Sequence, residues 1–472
     1  MNDPQSCCTR REAMKFAFGG AGSLLAAGLL HEMCAADEAR GASADPLAPK
    51  APHFPAKAKR VIFLFHTGGV SHVDSFDPKP KLFADHGKTV TIDEWQGKPG
   101  KYNRYLKKPQ WDFKPRGKSG IEVSSLFPHM GDCVDDLCVI RSLQSDHTNH
   151  YEATLMMHTG SITFARPSIG AWMSYGLGTV NRNLPSFLVL APAVPYAGDQ
   201  TWGTDFLPGC HQGTRVVPGP TPIADLARRT ASAGLQDLER EMLQQCNQEH
   251  LDHRAGDAGL TARVRSFETA YGMQKEAPEA FDLAKESDAT LQLYGLQRGA
   301  NTGFAWQCLV ARRMAERGVR FIELIDVGSS NNWDAHADML AHAPLAKNVD
   351  QAIAGLITDL KQRGMLDDTL VVWCTEFGRT PYNEQADAKG REHHHWAFSG
   401  WLAGGGVKRG LAYGSTDEYG IHVAENPVHV HDFHATILHL MGLDHEKLTY
   451  RHAGRDFRLT DVSGRVVKEI LA

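Results

Sequence analysis

Asp334 and His336 stand one residue apart in Trp333-Asp334-Ala335-His336, so an extended backbone would turn a carboxylate and an imidazole the same way. Zinc accepts both donor types, and its catalytic sites leave a position open for water or substrate. A cation held there could polarise a phosphoryl or related ester oxygen. Two further segments repeat the pattern. Glu376 lies in Thr375-Glu376-Phe377-Gly378-Arg379-Thr380, and His393 closes Gly390-Arg391-Glu392-His393. Each adjoins an apolar run of strand length: residues 321–326, 370–374 and 398–403. Open α/β sheets gather groups from successive strands at one edge, where such folds keep their sites.

The densest polar cluster is Asp146-His147-Thr148-Asn149-His150. Asp146 and His150 are expected as metal ligands. Thr148 is the nearest hydroxyl nucleophile, with Ser145 a second choice, and local hydrogen bonding is the competing role for both. Asp74, past the first apolar run, is a further ligand, whereas Asp77-Pro78 reads as turn chemistry. Arg379 or Arg391 could grip an anionic substrate group with two parallel bonds. The triplet His429, His431 and His434 is expected to be structural, with Asp432 capping a helix from Ala435. The expected catalytic set is therefore Thr148, Glu376 and Arg379. The expected metal set is Asp74, Asp146, His150, Asp334, His336 and His393. The cation is a divalent metal, zinc first, with calcium or magnesium as alternatives.

These groups need a scaffold. Residues 60–65, 138–140 and 184–190 read as further strands, and 304–317 and 349–363 as helices that feed the strands after them. Alternating strands and helices predict a mostly parallel sheet. Residues 223–300 turn helical: Leu235, Leu238, Met242 and Cys246 recur at helical spacing, as do Val264, Phe267 and Tyr271. Both stripes are expected to face a core. Residues 43–59 read as a linker, and 60–472 as the domain.

The leader is distinct. Arg10-Arg11 precedes a Gly/Ala-rich apolar run over 16–30, which predicts a twin-arginine-type signal peptide over 1–42, although Ala13 departs from the usual aromatic. A periplasmic or otherwise extracytoplasmic location follows, with the export machinery as a partner and no stable membrane span. A net charge of -5 gives no basic footprint for nucleic acid. The 24 histidines favour metal or proton chemistry. Of nine cysteines, Cys7, Cys8 and Cys34 fall in the leader, and pairing among the other six is open. No CxxC pair exists, which argues against a structural zinc knuckle.

The segments GGVSHVDSFDPKP from Gly68, HTGSITFARPSIGAWMSYGLG from His158, TEFGRTP from Thr375, WLAGGGVKRG from Trp401 and RDFRLTDVSGRVVKEILA from Arg455 resemble the bacterial family called domain of unknown function 1501. The likeness covers nearly the whole chain. That family is grouped with the alkaline phosphatase and sulfatase superfamily. The resemblance implies an alkaline-phosphatase-like α/β fold: a doubly wound, mostly parallel sheet, helices on both faces and a helical insertion. It also implies a metal-assisted site for a small-molecule or glycan ester, phosphate or sulfate. The chain departs from the superfamily pattern at Thr67, where an aspartate is usual, at Glu376-Phe377, where an Asp-His pair is usual, and at Asp146-His147, where the nucleophile would follow the aspartate. The sulfatase motif of Cys or Ser followed by x-Pro-x-Arg is absent at its expected place. The rival expectation is a non-catalytic extracytoplasmic binding protein on a degenerate hydrolase fold.

Overall fold

The computed structural model describes residues 45–95, 97–227, 232–254, 256–327 and 332–472. The leader, with its arginines and three cysteines, and Asn331 lie outside the described residues. Residues Pro46–Ala231 and Ala262–Ala472 form one compact unit, and Ser232–Thr261 belong to another.

Nine strands of the larger unit make one sheet: β1 (Arg60–His66), β2 (Leu137–Gln144), β3 (Phe187–Leu190), β4 (Thr214–Val216), β5 (Phe321–Asp326), β6 (Thr369–Thr375), β7 (Phe398–Ala403), β8 (Leu411–Tyr413) and β9 (Val428–His429). Their order is β8-β2-β7-β6-β1-β5-β3-β4, with β9 beside β2. All pairings are parallel except those of β7, which runs against β6 and β2. The expected doubly wound, mostly parallel α/β sheet is therefore present.

Side chains alternate across the sheet, as a pleat requires. Ile62 and Leu64 of β1, Ile322 and Leu324 of β5, and Val371 and Trp373 of β6 pack on one face. That core is closed by α3 (Phe304–Glu316) and α4 (His342–Gln362). Val61, Phe63 and Phe65, with Phe321, Ile325, Val372 and Cys374, pack on the other. There α1 (His150–Thr159), α2 (Ile169–Leu177) and α5 (Val430–Leu440) cover them. Strands buried on both sides have no need of polar alternation, which is why they stand out as largely apolar runs, with Glu323 the exception inside β5.

Four expectations change. Leu235, Leu238, Met242 and Phe267 are exposed rather than core-facing. Helical spacing reports the element but not what covers it. Residues 46–58 are not a free linker: Leu47 and Ala58 are buried, Lys50 N donates to Leu177 O at 3.0 Å, and Ala58 N donates to Leu440 O at 2.9 Å. α4 starts at His342, seven residues early, after a turn in which Asp338 accepts from Leu340 N. α5 starts at Val430 with His429 as its cap, and Asp432 sits at the third helical position, closing the capping box. No helix among the described residues is long and apolar enough to cross a membrane. Among the described residues, Cys133, Cys138, Cys246, Cys308 and Cys374 form no disulfide.

Candidate metal centre

Register brings the site segments to one edge. His66, the last residue of β1, pairs with Thr375 on β6 and with Asp326 on β5. The segments that follow all three strands therefore leave the sheet together. β7 runs the opposite way, so the chain before it, which carries His393, lies at that same edge. His150 opens α1. Eight residues on, His158 Nε2 lies 2.7 Å from Glu323 Oε1 of β5, a fully buried pair that ties the helix to the sheet.

The Asp334 loop is anchored to the strand ends. Asn332 Nδ2 donates to Asp326 O at 2.7 Å, Trp333 Nε1 donates to Asp326 Oδ2 at 2.6 Å, and Trp333 N donates to Thr67 O at 3.1 Å. The approach is close enough to require glycine at residue 68. A Cβ there would fall 2.6 Å from Asp334 N, and its φ of +109° is in the region that side chains avoid.

Three imidazoles converge on one carboxylate oxygen. Asp334 Oδ1 lies 3.3 Å from His150 Nε2, 2.8 Å from His336 Nε2 and 3.2 Å from His393 Nε2. The Nε2 atoms of His336 and His393 are 3.0 Å apart. Each ring is held from behind by an acceptor at its Nδ1: Glu376 Oε1 for His150 at 2.7 Å, Glu392 Oε2 for His336 at 2.8 Å, and the Thr148 carbonyl for His393 at 2.7 Å. Those bonds favour a proton on each Nδ1, so each Nε2 would offer its lone pair inward once a cation displaced the proton shared with Asp334. Asp334 Oδ1 also accepts from Arg379. Four nitrogens crowd an oxygen with about two lone-pair sites, so hydrogen bonding alone does not account for the arrangement. The ligand atoms of His150, Asp334 and His393 all lie within 4.8 Å of one another, a set that suits a cation, with His336 at its exposed side. In a tetrahedron with bonds of about 2.0–2.1 Å, donor atoms stand roughly 3.4 Å apart. Among the described residues, the buried His150 Nε2 faces Asp334 Oδ1 at 3.3 Å and makes no further contact of hydrogen-bond geometry.

The electrostatics follow from this crowding. Burial opposes the Asp334 charge, but the hydrogen bonds of His150, His336 and His393 and the Arg379 charge overcome it and hold the carboxyl far below its ordinary range. Hydrogen bonds to Asp334 and Glu392 raise His336 to about 9. Burial lowers His150, yet Asp334 and Glu376 outweigh it and the net shift is upward. In His393 burial prevails and the shift is downward. Burial opposes the charge of Glu376 too, and the hydrogen bond from His150 reverses that.

The expected residues divide. Asp334, His336 and His393 come together, and His150 joins them. Asp74 does not: it is buried against Arg391, whose Nε lies 2.8 Å from Oδ2, and it accepts from Ser71 Oγ at 2.6 Å and Gln110 N at 2.8 Å. Its carboxylate is a structural counter-ion. Asp146 is exposed and pairs with His429 at 3.0 Å. Thr148 meets the cluster through its carbonyl, not its hydroxyl. Glu376 is wholly buried, with Oε1 also accepting from Gly68 N at 2.7 Å, so it orients His150 from outside the ligand set. Arg379 is buried on Asp334 and the carbonyls of Gly68, Gly69 and Arg391, leaving no open fork for a substrate anion. Arg391 is likewise spent on Asp74 and three carbonyls.

Three contributors were missed. Glu392 holds His336, and its place beside His393 was the available signal. Tyr196 stacks on His150 with ring centroids 4.2 Å apart, and Phe377 packs against both His150 and His393. Tyr196 lies in the segment between β3 and β4, and nothing in its spacing marks it out.

A family model described as Protein of unknown function (DUF1501) matches residues 58–471. No curated protein matches. Among solved structures, the chain is similar to the lipoteichoic acid synthase LtaP from Listeria monocytogenes, at 10% identity over 88% of this chain and 79% of that one, with a TM-score of 0.33. It is similar to the PsFucS1 sulfatase from Pseudoalteromonas sp., at 11% identity over 82% and 68%, with a TM-score of 0.35. It is also similar to a protein in the alkaline phosphatase superfamily from Vibrio parahaemolyticus, at 10% identity over 86% and 74%, with a TM-score of 0.35.

Proposed function

The chain belongs to the DUF1501 family, and we propose that it is an exported, metal-dependent hydrolase of phosphate or sulfate esters. The observation that carries this reading is the convergence of the His150, His336 and His393 Nε2 atoms on Asp334 Oδ1. Three imidazoles and one carboxylate suit zinc better than calcium or magnesium, which prefer oxygen donors. When bound, the cation supplies Lewis acidity toward an ester oxygen.

The chain's own groups do the rest. Glu376, Glu392 and the Thr148 carbonyl fix the three ring tautomers. Arg379 holds Asp334 in place, and the Tyr196 and Phe377 rings shield His150 from water. His336, the exposed member, marks the open side from which an ester would approach. The paired arginines of the leader support export by the twin-arginine route.

A specific observation favours a second reading, a non-catalytic binding protein. Glu376 and Arg379 are consumed in holding the site, and Thr148 turns its carbonyl to it. Elemental analysis of the purified mature protein, followed by a screen of aryl phosphate and aryl sulfate esters, tests both. Bound transition metal with turnover of either ester supports the hydrolase. Metal without turnover supports the binder, and no metal removes both readings of the cluster.

A further inference from the structure

A cavity of about 200 Å³ opens beside the loop 386–391 that leads into Glu392 and His393. Lys107, Lys108, Lys389 and Asp387 line it, and so does Arg391. Arg391 is neutralised by Asp74. That leaves three lysines against one acid.

Lys107 is the unusual member. It is only 5% exposed, and its Nζ donates to the Ala386 carbonyl. An ammonium has three protons, and no other hydrogen bond or ion pair engages this one among the described residues. Burying such a charge with so little compensation is costly. Burial pushes the Lys107 ammonium below its ordinary value, although Asp387 pulls the other way. The placement is rigid. Arg391 Nη2 donates to the Lys107 carbonyl at 3.2 Å and to the Lys108 carbonyl at 3.1 Å, and Lys107 N donates to Pro381 O at 2.9 Å. A buried cation with free donors, fixed at the wall of an open cavity and flanked by two exposed lysines, is preorganised for an anion.

We propose that this cavity binds a tetrahedral oxyanion of the phosphate and sulfate class. At roughly 30 Å³ per water, the volume admits the ion with a few waters. The same loop braces the metal centre: Lys389 O accepts from Met339 N at 3.1 Å, and a Cβ on Gly390 would meet His336 O at 1.7 Å. An ion on Lys389 and Lys107 would stiffen the segment on which His336 rests. The ion could be free or the esterified group of a larger anion; the chemistry is shared.

Equilibrium dialysis of the full chain, freed of metal by chelation, against labelled inorganic phosphate and sulfate tests the site. One saturable site per chain is expected. Lys107→Met should weaken binding about tenfold, a loss of roughly 1.4 kcal/mol. Lys389→Ala, at an exposed position that does not endanger folding, should weaken it severalfold. Asp334→Asn, which disables the metal cluster, should leave it unchanged, so this inference and the proposed function fail separately. Phenyl phosphate that competes with the free ion assigns the site to esterified groups, and phenyl phosphate that does not compete assigns it to free ions. Absence of saturable binding, binding that survives both lysine changes, or binding lost only in Asp334→Asn would overturn the proposal.

Discussion

Glu376 holds His150 from behind: its buried Oε1 lies 2.7 Å from Nδ1, while Nε2 of the same ring faces Asp334. The carboxylate therefore sets which nitrogen is free for a cation. Outer carboxylates of this kind typically change metal affinity about 10–100-fold. Glu376→Gln should weaken cation binding about tenfold and Glu376→Ala nearer a hundredfold, read by competition with a zinc chelator. Glu376→Ala should also abolish any metal-dependent ester turnover. Full affinity in both variants would remove Glu376 from the site.

Asp334 Oδ1 is the acceptor that all three imidazoles and Arg379 approach. Asp334→Ala should eliminate bound metal in elemental analysis. It also leaves the buried Arg379 guanidinium without its counter-ion, although three backbone carbonyls remain with it. Removing one partner of such a pair costs about 3 kcal/mol, to be measured by urea unfolding of the metal-free protein. Retention of a full equivalent of metal would contradict the convergence described above.

Gly390 tests whether backbone fit, rather than side-chain identity, positions the site. A Cβ there would overlap the His336 carbonyl, at 1.7 Å, whereas a Cβ on Gly87 meets nothing within 4 Å. Gly390→Ala should push the His336 segment aside and lower metal affinity at least tenfold. Gly87→Ala carries only the strain of its φ of +81°, about 1 kcal/mol, and should bind metal normally. Equal affinities in the two variants would show that the His336 loop yields without consequence.

What could be read in advance follows the physics of each signal. β1, β5 and β6 were legible because strands buried on both faces need largely apolar runs, and the site segments were legible because they follow such runs. The partners of Asp74 and Asp146 were not. Asp74 meets Arg391 across 317 residues, and no local pattern announces which charge a fold will bury against which. Thr148 was chosen for its hydroxyl, yet its useful atom is a backbone oxygen that every residue type supplies. The Leu235, Leu238 and Met242 stripe has helical period, but period is a property of one helix and burial a property of two surfaces. His429 was passed over as a cap because Asp432 is the commoner type, and the register of the capping box decided otherwise.

Two buried histidines outside the Asp334 cluster, His211 and His434, link stability to acid pH. Burial pushes His211 and His434 down to about 3, and each is held by a hydrogen bond: His211 Nδ1 with Ser174 Oγ at 2.8 Å, and His434 Nε2 with Met157 O at 2.7 Å. The unfolded chain titrates these rings near 6.5. Their folded values lie below that, so the unfolded state binds more protons between about pH 6.5 and pH 3. The stability linked to each neutral ring is complete above pH 6.5 and is lost as the pH falls through this window. Between pH 7.5 and pH 5 the loss is about 2 kcal/mol per histidine. Urea unfolding of metal-free protein at the two pH values should show the decline, and His434→Gln should reduce it by about 2 kcal/mol while leaving the His211 contribution. An unchanged decline in that variant would mean that His434 is protonated in the folded state, and the burial argument would fail for this ring.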